Sequence, residues 1–548
     1  MNLTHIHHSP RIWLWAILLL ATVLRVYQID FGAPHFYHPD EIKLVAQAGR
    51  LLETKFMDPE AHFGINVYPP FYTYILAGAM AVYILGSLVT GHFESLSQLP
   101  LIYEQNPFQF FLLGRLLVAL FGVLTVYMTY RLGKQLFSPK IGWVAAFLLS
   151  VNFVHVRNSH FNTVDVPATF LGVLCLYLIS LLLARDEIKL YIAAAMTMAV
   201  ATATKFSMLT LPLPLLVAHF SRYPVNTWVR KIFDKRIAVT LLVGLVAFLI
   251  ACPLLWLDFQ ETFGGILGTK RFEQVGKIGS GGGFLSYWTG DHAPGFGAFY
   301  PNAIPTTFGL VLTLLTVLGI VYHGWKHRKA DLLLLVFIIP SYWMFETMSI
   351  KAMRHVLPLV PFFMISAAVA WDFISRPLGK NAKRIFTVLI IGWIAVSNIQ
   401  SSLWYFNELS AKDPRTLARE WILENIPDNS VLAVESFPPP LPGKKENEST
   451  KDKTFELIDI DLTKRQIHIK NELIGQIHKS NAEYYISDGF TRQTLQWQET
   501  QERYPELVQD RQQFFDWLQK NSTVVKRFVP GEEKIQPKIT IYRLELTP

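Results

Sequence analysis

The feature that most constrains this chain is the recurrence of long apolar runs, such as "IWLWAILLLATVLRVY", "IAVTLLVGLVAFLIACPLLWL" and "IFTVLIIGWIAVSNI". Roughly 18 or more apolar residues wound as a helix cross a hydrocarbon core about 30 Å thick. Inside lipid, such a helix satisfies its own backbone hydrogen bonds. Composition agrees: 51% of the 548 residues are hydrophobic and only 17% are charged, against about 25% in a soluble domain. The chain reads as a polytopic α-helical membrane protein.

About eleven spans are expected, near 11–28, 108–131, 141–157, 165–184, 189–204, 206–220, 237–257, 302–322, 331–348, 352–374 and 385–404. No small-residue cleavage site follows the first run, so it is expected to stay as an anchor. The formal charge of +8 does not point to nucleic acid, because the basic residues between runs sit in short loops. "YRLGKQLFSPK", "ARDEIK", "SRYPVNTWVRKIFDKR", "HGWKHRK" and "SRPLGKNAKR" hold most of them. The positive-inside rule makes these loops cytoplasmic and places the C-terminal region outside. Segment 67–89 is apolar enough to span, but counting it would invert the spans that follow. It is therefore expected to be a re-entrant or interfacial helix within a long external loop, 29–107. Cys175 and Cys252 both lie in apolar runs and imply no disulfide framework.

Four features collect on the external face. The first is "HFYHPDE", with Asp40-Glu41 and, two residues earlier, His38. A residue before proline is pushed to extended geometry, so His38-Pro39 leads into a helix with Asp40 expected at its N-cap. Plain capping would explain both acids; a base at the membrane surface would as well. The second is "RNSHFNTVDVPATF", where Asp165 again suits a cap with Pro167 in the first turn. The third is a set of cations, Lys205 in "ATKFS" and Lys351, Arg354 and His355 in "MSIKAMRHVLPLVPF". Long basic side chains often anchor at headgroups, yet cations on the outer face run against the loop-charge rule and invite a phosphate partner, which arginine matches with paired donors. The fourth is loop 258–301, rich in glycine and aromatics and carrying Lys270 and Arg271, which reads as a lid. A base with cations around it suits transfer from a phosphorylated lipid: the base takes a proton and the cations meet the departing phosphate.

The order "HFYHPDE", "YPPFYTYILA", "GRLLVALFGVLTVYMTYRLGKQLF", "NTVDVPATF", "ATKFSMLTLPLPLL", "RHVLPLVPF" resembles the GT-C superfamily of integral membrane glycosyltransferases over roughly residues 10–405. Its nearest branch is the protein O-mannosyltransferase and lipid A aminoarabinose transferase type. The resemblance implies a GT-C fold with juxtamembrane helices in the first external loop. It also implies inverting transfer of one sugar from a polyprenyl-phosphate donor to an external hydroxyl acceptor. By resemblance Asp40 is the general base, and Glu41 is its neighbour in substrate or metal binding. Asp165 matches an acidic residue of the second external loop, and Lys205 and Arg354 are candidates for the phosphate. A divalent cation is the one cofactor the acidic pair could hold. The chain has Val67-Tyr68-Pro69-Pro70 where aminoarabinose transferases usually carry a basic residue. It also lacks the inserted repeats of eukaryotic protein O-mannosyltransferases, so the match is to a bacterial-type member acting in an inner membrane.

From about residue 408 the composition turns soluble. "DPRTLAREWILENIP" reads as a capped amphipathic helix, "NSVLAVES" and "AEYYISDGF" as strands around the helix "NELIGQIHKSN", and "KITIYRLEL" as a closing strand. This alternation predicts a small extracytoplasmic α/β domain, 408–548, after a membrane domain, 1–407. Two other functions fit the sequence. A polyprenyl-linked glycan transporter would place charges within spans, and Arg115, Pro212 and Pro214 lie inside them. A ligase or polymerase would use a diphosphate-linked oligosaccharide.

Overall fold

The computed structural model describes residues 10–53, 69–98, 103, 106–253, 299–348, 352–443, 453–462, 468–496, 501, 504–529 and 537–545. The chain divides into two compact units, one built from the helices between Pro10 and Phe406, the other from Asn407 onward together with Phe31–His35.

Over the described residues, each expected apolar run is mainly helical. The helices are α1 (Pro10–Val26), α2 (Pro39–Glu53), α3 (Phe71–Val89), α4 (Phe108–Leu136), α5 (Pro139–Val151), α6 (Phe153–Asn158), α7 (Asp165–Leu182), α8 (Ile188–Thr202), α9 (Pro212–Phe220), α10 (Lys235–Ala251), α11 (Phe299–Phe308), α12 (Leu310–Lys326), α13 (Lys329–Thr347), α14 (Val360–Ser375) and α15 (Lys380–Ser410). Among the described residues six helices are long and apolar enough to cross a membrane, with five shorter apolar helices beside them. The 19-residue α3 is one of the six, so its length and composition suit a span as well as a surface helix.

Several runs break where chain chemistry demands it. Asn152 ends α5 and caps α6 by accepting from the His155 N–H at 3.1 Å. Gly309, at φ +83°, separates α11 from α12, in the left-handed region where a side chain would be strained. Short 3₁₀ turns, Phe206–Thr210 and Met353–Leu359, precede α9 and α14. Packing is tightest where backbones touch. A Cβ on Gly142 would lie 2.5 Å from the Tyr130 carbonyl of α4, and one on Gly319 only 2.0 Å from the Ser366 carbonyl of α14.

Two buried polar side chains stitch the unit together. Asn398 of α15 accepts from the Phe153 N–H at 3.0 Å and donates to the Phe308 carbonyl at 3.3 Å. Arg25 of α1, fully buried, donates to the carbonyls of Leu149 (3.2 Å) and Ser150 (3.0 Å) and hydrogen-bonds His155 Nδ1 at 3.0 Å. The last carbonyls of a helix have no partner within it, and a cation there also suits the helix dipole. Leucines and tryptophans on the outside of the helices, such as Trp15, Leu241 and Trp393, are exposed, as a lipid-facing surface requires.

The second unit is the expected α/β domain. Its strands are β1 (Val431–Val434), β2 (Glu456–Asp459), β3 (Tyr484–Ser487), β4 (Ser522–Phe528) and β5 (Ile539–Leu544), in the order β2-β1-β3-β5-β4. β1 pairs parallel with β2 and β3; β5 runs antiparallel to β3 and β4. Helices α16 (Pro414–Asn425), α17 (Lys470–Lys479) and α18 (Pro505–Lys520) accompany the sheet. Asp413 caps α16 by accepting from the Arg415 N–H at 2.8 Å, and Ala418, Ile422 and Ile426 supply its buried face. β2 and β4 were not among the expected strands. Just past β1 and β3, two buried carboxylates meet. Glu435 accepts from the Tyr485 hydroxyl (2.8 Å) and the Asp488 N–H (3.0 Å). Burial first, and then the Asp488 charge, push the Glu435 carboxyl well above its ordinary value, which keeps it protonated.

Candidate active site

Helix α2 sorts the two adjacent acids onto different faces. Its buried residues are Glu41, Leu44, Val45, Ala48 and Leu51, a helical stripe. Neighbours on a helix point about 100° apart, so Glu41 turns into the protein while Asp40 stays at the rim. Asp40 is not the N-cap expected from the sequence. The helix already begins at Pro39, and the His38 carbonyl accepts from the N–H of Glu41 (3.1 Å) and Ile42 (3.4 Å). Proline's fixed φ suits the first helical position, which moves the start one residue upstream and releases Asp40 from capping.

Glu41 is fully buried. Arg115 of α4 grips it with two parallel hydrogen bonds, Nε to Oε1 at 2.9 Å and Nη2 to Oε2 at 2.8 Å. The same Oε1 accepts from the Asn162 N–H at 2.8 Å, and Arg115 also donates to the Ile29 carbonyl at 3.1 Å. Tyr72 of α3 donates to Asn162 Oδ1 at 2.5 Å. Gly114 leaves room for this, since a Cβ there would lie 2.4 Å from the Asn162 amide. This network locks α2, α3, α4 and the loop before α7 to one another.

Asp40 instead faces a partly open space. Its Oδ2 accepts from Arg354 Nη1 at 2.9 Å, with side-chain exposures of 13% and 38%. Asp165 is also no cap: it is the first residue of α7, Val164 before it holds the cap position, and its carboxylate pairs with Lys205. Lys205 opens the turn after α8, where the Phe71 N–H at the start of α3 donates to the Ala203 carbonyl at 3.0 Å. His355 lies within electrostatic reach of Lys205, Arg354 and Asp165. Its Nδ1 is buried without a hydrogen-bond partner, as is that of His38. The His38 ring stands 4.6 Å from that of Phe161. Burial pushes the His38 imidazole below its ordinary value, against the opposing pull of Glu41 and Asp40, so it is neutral at physiological pH.

A cavity of about 250 Å³ opens beside this cluster, lined by His38, Phe161, Thr163, Arg157, Thr307 and Arg354 among others. The structure thus brings together His38, Asp40, Asp165, Lys205, Arg354 and His355. Glu41 is next to them but turned inward. Lys270, Arg271 and Lys351 lie outside the described residues, as does nearly all of loop 258–301. Among the described residues, no three or more of His, Cys, Asp and Glu gather as a metal site, and both Glu41 oxygens are engaged by Arg115. Arg115, Asn162, Tyr72 and Arg157 were not expected at the site. The signal for Arg115 was present, because a charge within an apolar run requires a partner.

Comparison with known proteins accords with this picture. The family of dolichyl-phosphate-mannose-protein mannosyltransferases matches residues 111–256. No curated protein matches the sequence. ArnT from Cupriavidus metallidurans, solved with undecaprenyl phosphate, aligns at a TM-score of 0.51 and 14% identity over 96% of this chain and 98% of its own. The oligosaccharyltransferase AglB from Archaeoglobus fulgidus, solved with an inhibitory peptide and a dolichol-phosphate, aligns at 0.51 and 14% identity over 87% of this chain and 69% of its own. Residues 111–256 are thus similar to that mannosyltransferase family, and the chain as a whole shares the fold of these two membrane proteins.

Proposed function

We propose that this protein transfers a single sugar from a polyprenyl-phosphate carrier to a hydroxyl acceptor on the extracytoplasmic face, with inversion at the anomeric carbon. The observation that carries the reading is the Asp40–Arg354 pair, whose arginine lines a cavity of about 250 Å³. A base and a phosphate-binding cation are held side by side, with Lys205 and His355 behind them. The lipid phosphates in the ArnT and AglB structures support a carrier of that class. The cavity is smaller than the roughly 300–1,000 Å³ of drug-sized sites, which favours one sugar over an oligosaccharide. Arg115, the charge within a span that favoured transport, is accounted for by its pairing with Glu41.

In the resting geometry Arg354 occupies the Asp40 oxygen. When the donor phosphate enters, it competes for the guanidinium and turns Asp40 toward the acceptor. Asp40 then takes the hydroxyl proton as the acceptor oxygen bonds to the anomeric carbon. The bond from that carbon to the phosphate oxygen breaks, and its electron pair leaves with the polyprenyl phosphate. Arg354 and Lys205 meet the charge developing there, a stabilisation usually among the largest in catalysis. Attack opposite the leaving group inverts the centre.

The test is release of free polyprenyl phosphate from a panel of labelled prenyl-phosphate monosaccharides by purified protein, with membrane extract as acceptor. Release by wild type and not by Asp40→Asn is the expected result. Release by neither, with active controls, would move the assignment to a diphosphate-linked donor or to transport.

A further inference from the structure

The outer face of α4 ends in a group that the transfer reaction does not use. Leu116 and Leu120, 41% and 54% exposed, begin a stripe that continues at helical spacing through Tyr127 to Arg131. Arg131 stands roughly 24 Å along the helix axis from Arg115, where the expected span ends and a basic stretch begins. Its Nη1 donates to the Tyr127 hydroxyl at 2.8 Å, and its Nη2 to the Tyr177 hydroxyl of α7 at 2.5 Å. The guanidinium also lies 5.7 Å and 5.0 Å from the centroids of those two rings, within cation–π range. All three side chains are part-exposed. A lone cation at this level is ordinary, since long basic side chains reach freely for headgroups. This one is instead pinned by hydroxyls from two helices. A phenol oxygen that accepts still has its own hydrogen to give, and among the described residues neither hydroxyl donates to another group. The group therefore presents donors only: two O–H, the remaining guanidinium N–H, and one positive charge.

We propose that Arg131, Tyr127 and Tyr177 form a headgroup site for an anionic glycerophospholipid, its phosphate at the guanidinium and an acyl chain along the Leu120–Leu116 stripe. The planar fork of arginine suits phosphate oxygens, and each phenol adds a donor to the same anion. Basic groups between helices at a membrane surface recognise anionic headgroups in this way. Lys134, exposed less than one turn further on, adds a second positive charge, which disfavours a headgroup that carries its own cation. The site lies apart from Asp40 and Arg354. It joins α4 to α7, the two helices that supply Arg115 and Asp165, at the end remote from those residues, so a lipid bound there braces the pair.

The test uses purified full-length protein stripped of lipid in a mild detergent. It is offered phosphatidylglycerol, phosphatidylcholine, a short-chain prenyl phosphate or inorganic phosphate. Native mass spectrometry reads occupancy, and thermal unfolding reads stabilisation. Wild type is expected to bind phosphatidylglycerol roughly tenfold more tightly than phosphatidylcholine, and inorganic phosphate more weakly than either, because it has no chain to lie on the stripe. Arg131→Gln should abolish the preference. Arg131→Lys, which keeps the charge without the fork, should retain part of it, and Tyr177→Phe should lose roughly three- to tenfold in phosphatidylglycerol affinity. These two variants carry the test if Arg131→Gln does not fold. Lys140→Gln is the control: Lys140 lies in the same basic stretch but its Nζ pairs with Asp372 at 2.7 Å, and its loss should leave the preference intact. Equal binding of the two phospholipids by wild type overturns the proposal. An equal loss in Arg131→Gln and Lys140→Gln also overturns it, reducing the effect to general surface charge. So does inorganic phosphate binding as tightly as phosphatidylglycerol, or a loss in Arg131→Gln confined to prenyl phosphate, which would assign the residue to a free anion or to the sugar carrier.

Discussion

Asp40 and Glu41 are adjacent carboxylates, each paired with an arginine, and their surroundings could hardly differ more. Glu41–Arg115 is fully buried and two-pronged, with Asn162 completing it. In Asp40–Arg354, Nη1 donates to Oδ2 at 2.9 Å, and Arg354, 38% exposed, lines a cavity. A buried pair that loses one member leaves an uncompensated charge in low dielectric. A half-exposed pair is screened by water and contributes little to stability. The first pair therefore holds the architecture, and the second is the one that exchanges partners in the reaction proposed above.

The sharpest way to break this contrast is to neutralise each acid in turn. Asp40→Asn should lower turnover by about 10²- to 10⁴-fold, the range for a positioned acid or base, while thermal unfolding stays near wild type. Glu41→Gln should do the reverse in order of cause: a loss of about 3–5 kcal/mol of stability, read as reduced yield and a lowered melting temperature, with activity falling because the fold does. An Asp40→Asn protein that unfolds as readily as Glu41→Gln would erase the distinction. Gly319→Ala, far from both acids, should cost about 1–3 kcal/mol by overpacking, since its new methyl meets the Ser366 backbone; it serves as a purely structural reference. Arg354→Gln should weaken prenyl-phosphate binding roughly 10- to 100-fold, the worth of a charged hydrogen bond, with little change in melting.

The smallest effect concerns a third pair, Glu435 and Asp488 in the C-terminal unit. Glu435 stays protonated in the fold and ionises in the unfolded chain above its ordinary value of about 4.3. The unfolded state thus binds fewer protons, and this group's contribution makes stability fall as pH rises from about 4.3 toward the raised native value. Amide exchange of β1 and β3, corrected for intrinsic rates, should show easier opening at pH 8 than at pH 5. Glu435→Gln should flatten that slope; an unchanged slope would contradict a neutral Glu435.

Much of this was legible in the sequence because membrane helices advertise themselves by length and apolarity. Asp40, Asp165, Lys205 and Arg354 stood out because charges at one end of apolar runs have few structural reasons to be there. What could not be read was pairing. Asp40 and Arg354 are 314 residues apart, and no local pattern links them. The capping expectations for Asp40 and Asp165 failed for a common reason: the helix starts were set by Pro39 and by the backbone at Val164, which left both carboxylates to tertiary partners. Arg157 and Thr163 sat in the quoted stretch "RNSHFNTVDVPATF" without distinction, because a place in a cavity lining is visible only when the neighbours are known. β4 alternates poorly, with most of its residues exposed, and so lacked the pattern by which β1, β3 and β5 were found.

Arg25 has a consequence for how the protein is made. Its guanidinium is satisfied by the carbonyls of Leu149 and Ser150, the latter 125 residues downstream. Until that part of the chain emerges from the ribosome, Arg25, in the last turn of α1, has of these partners only the Ala21 carbonyl of its own helix at 3.0 Å, and a long basic side chain at a helix end reaches for the headgroups. The first helix of this protein thus takes its final place in the bundle only once the fifth arrives to receive it, and the order of synthesis becomes an order of assembly.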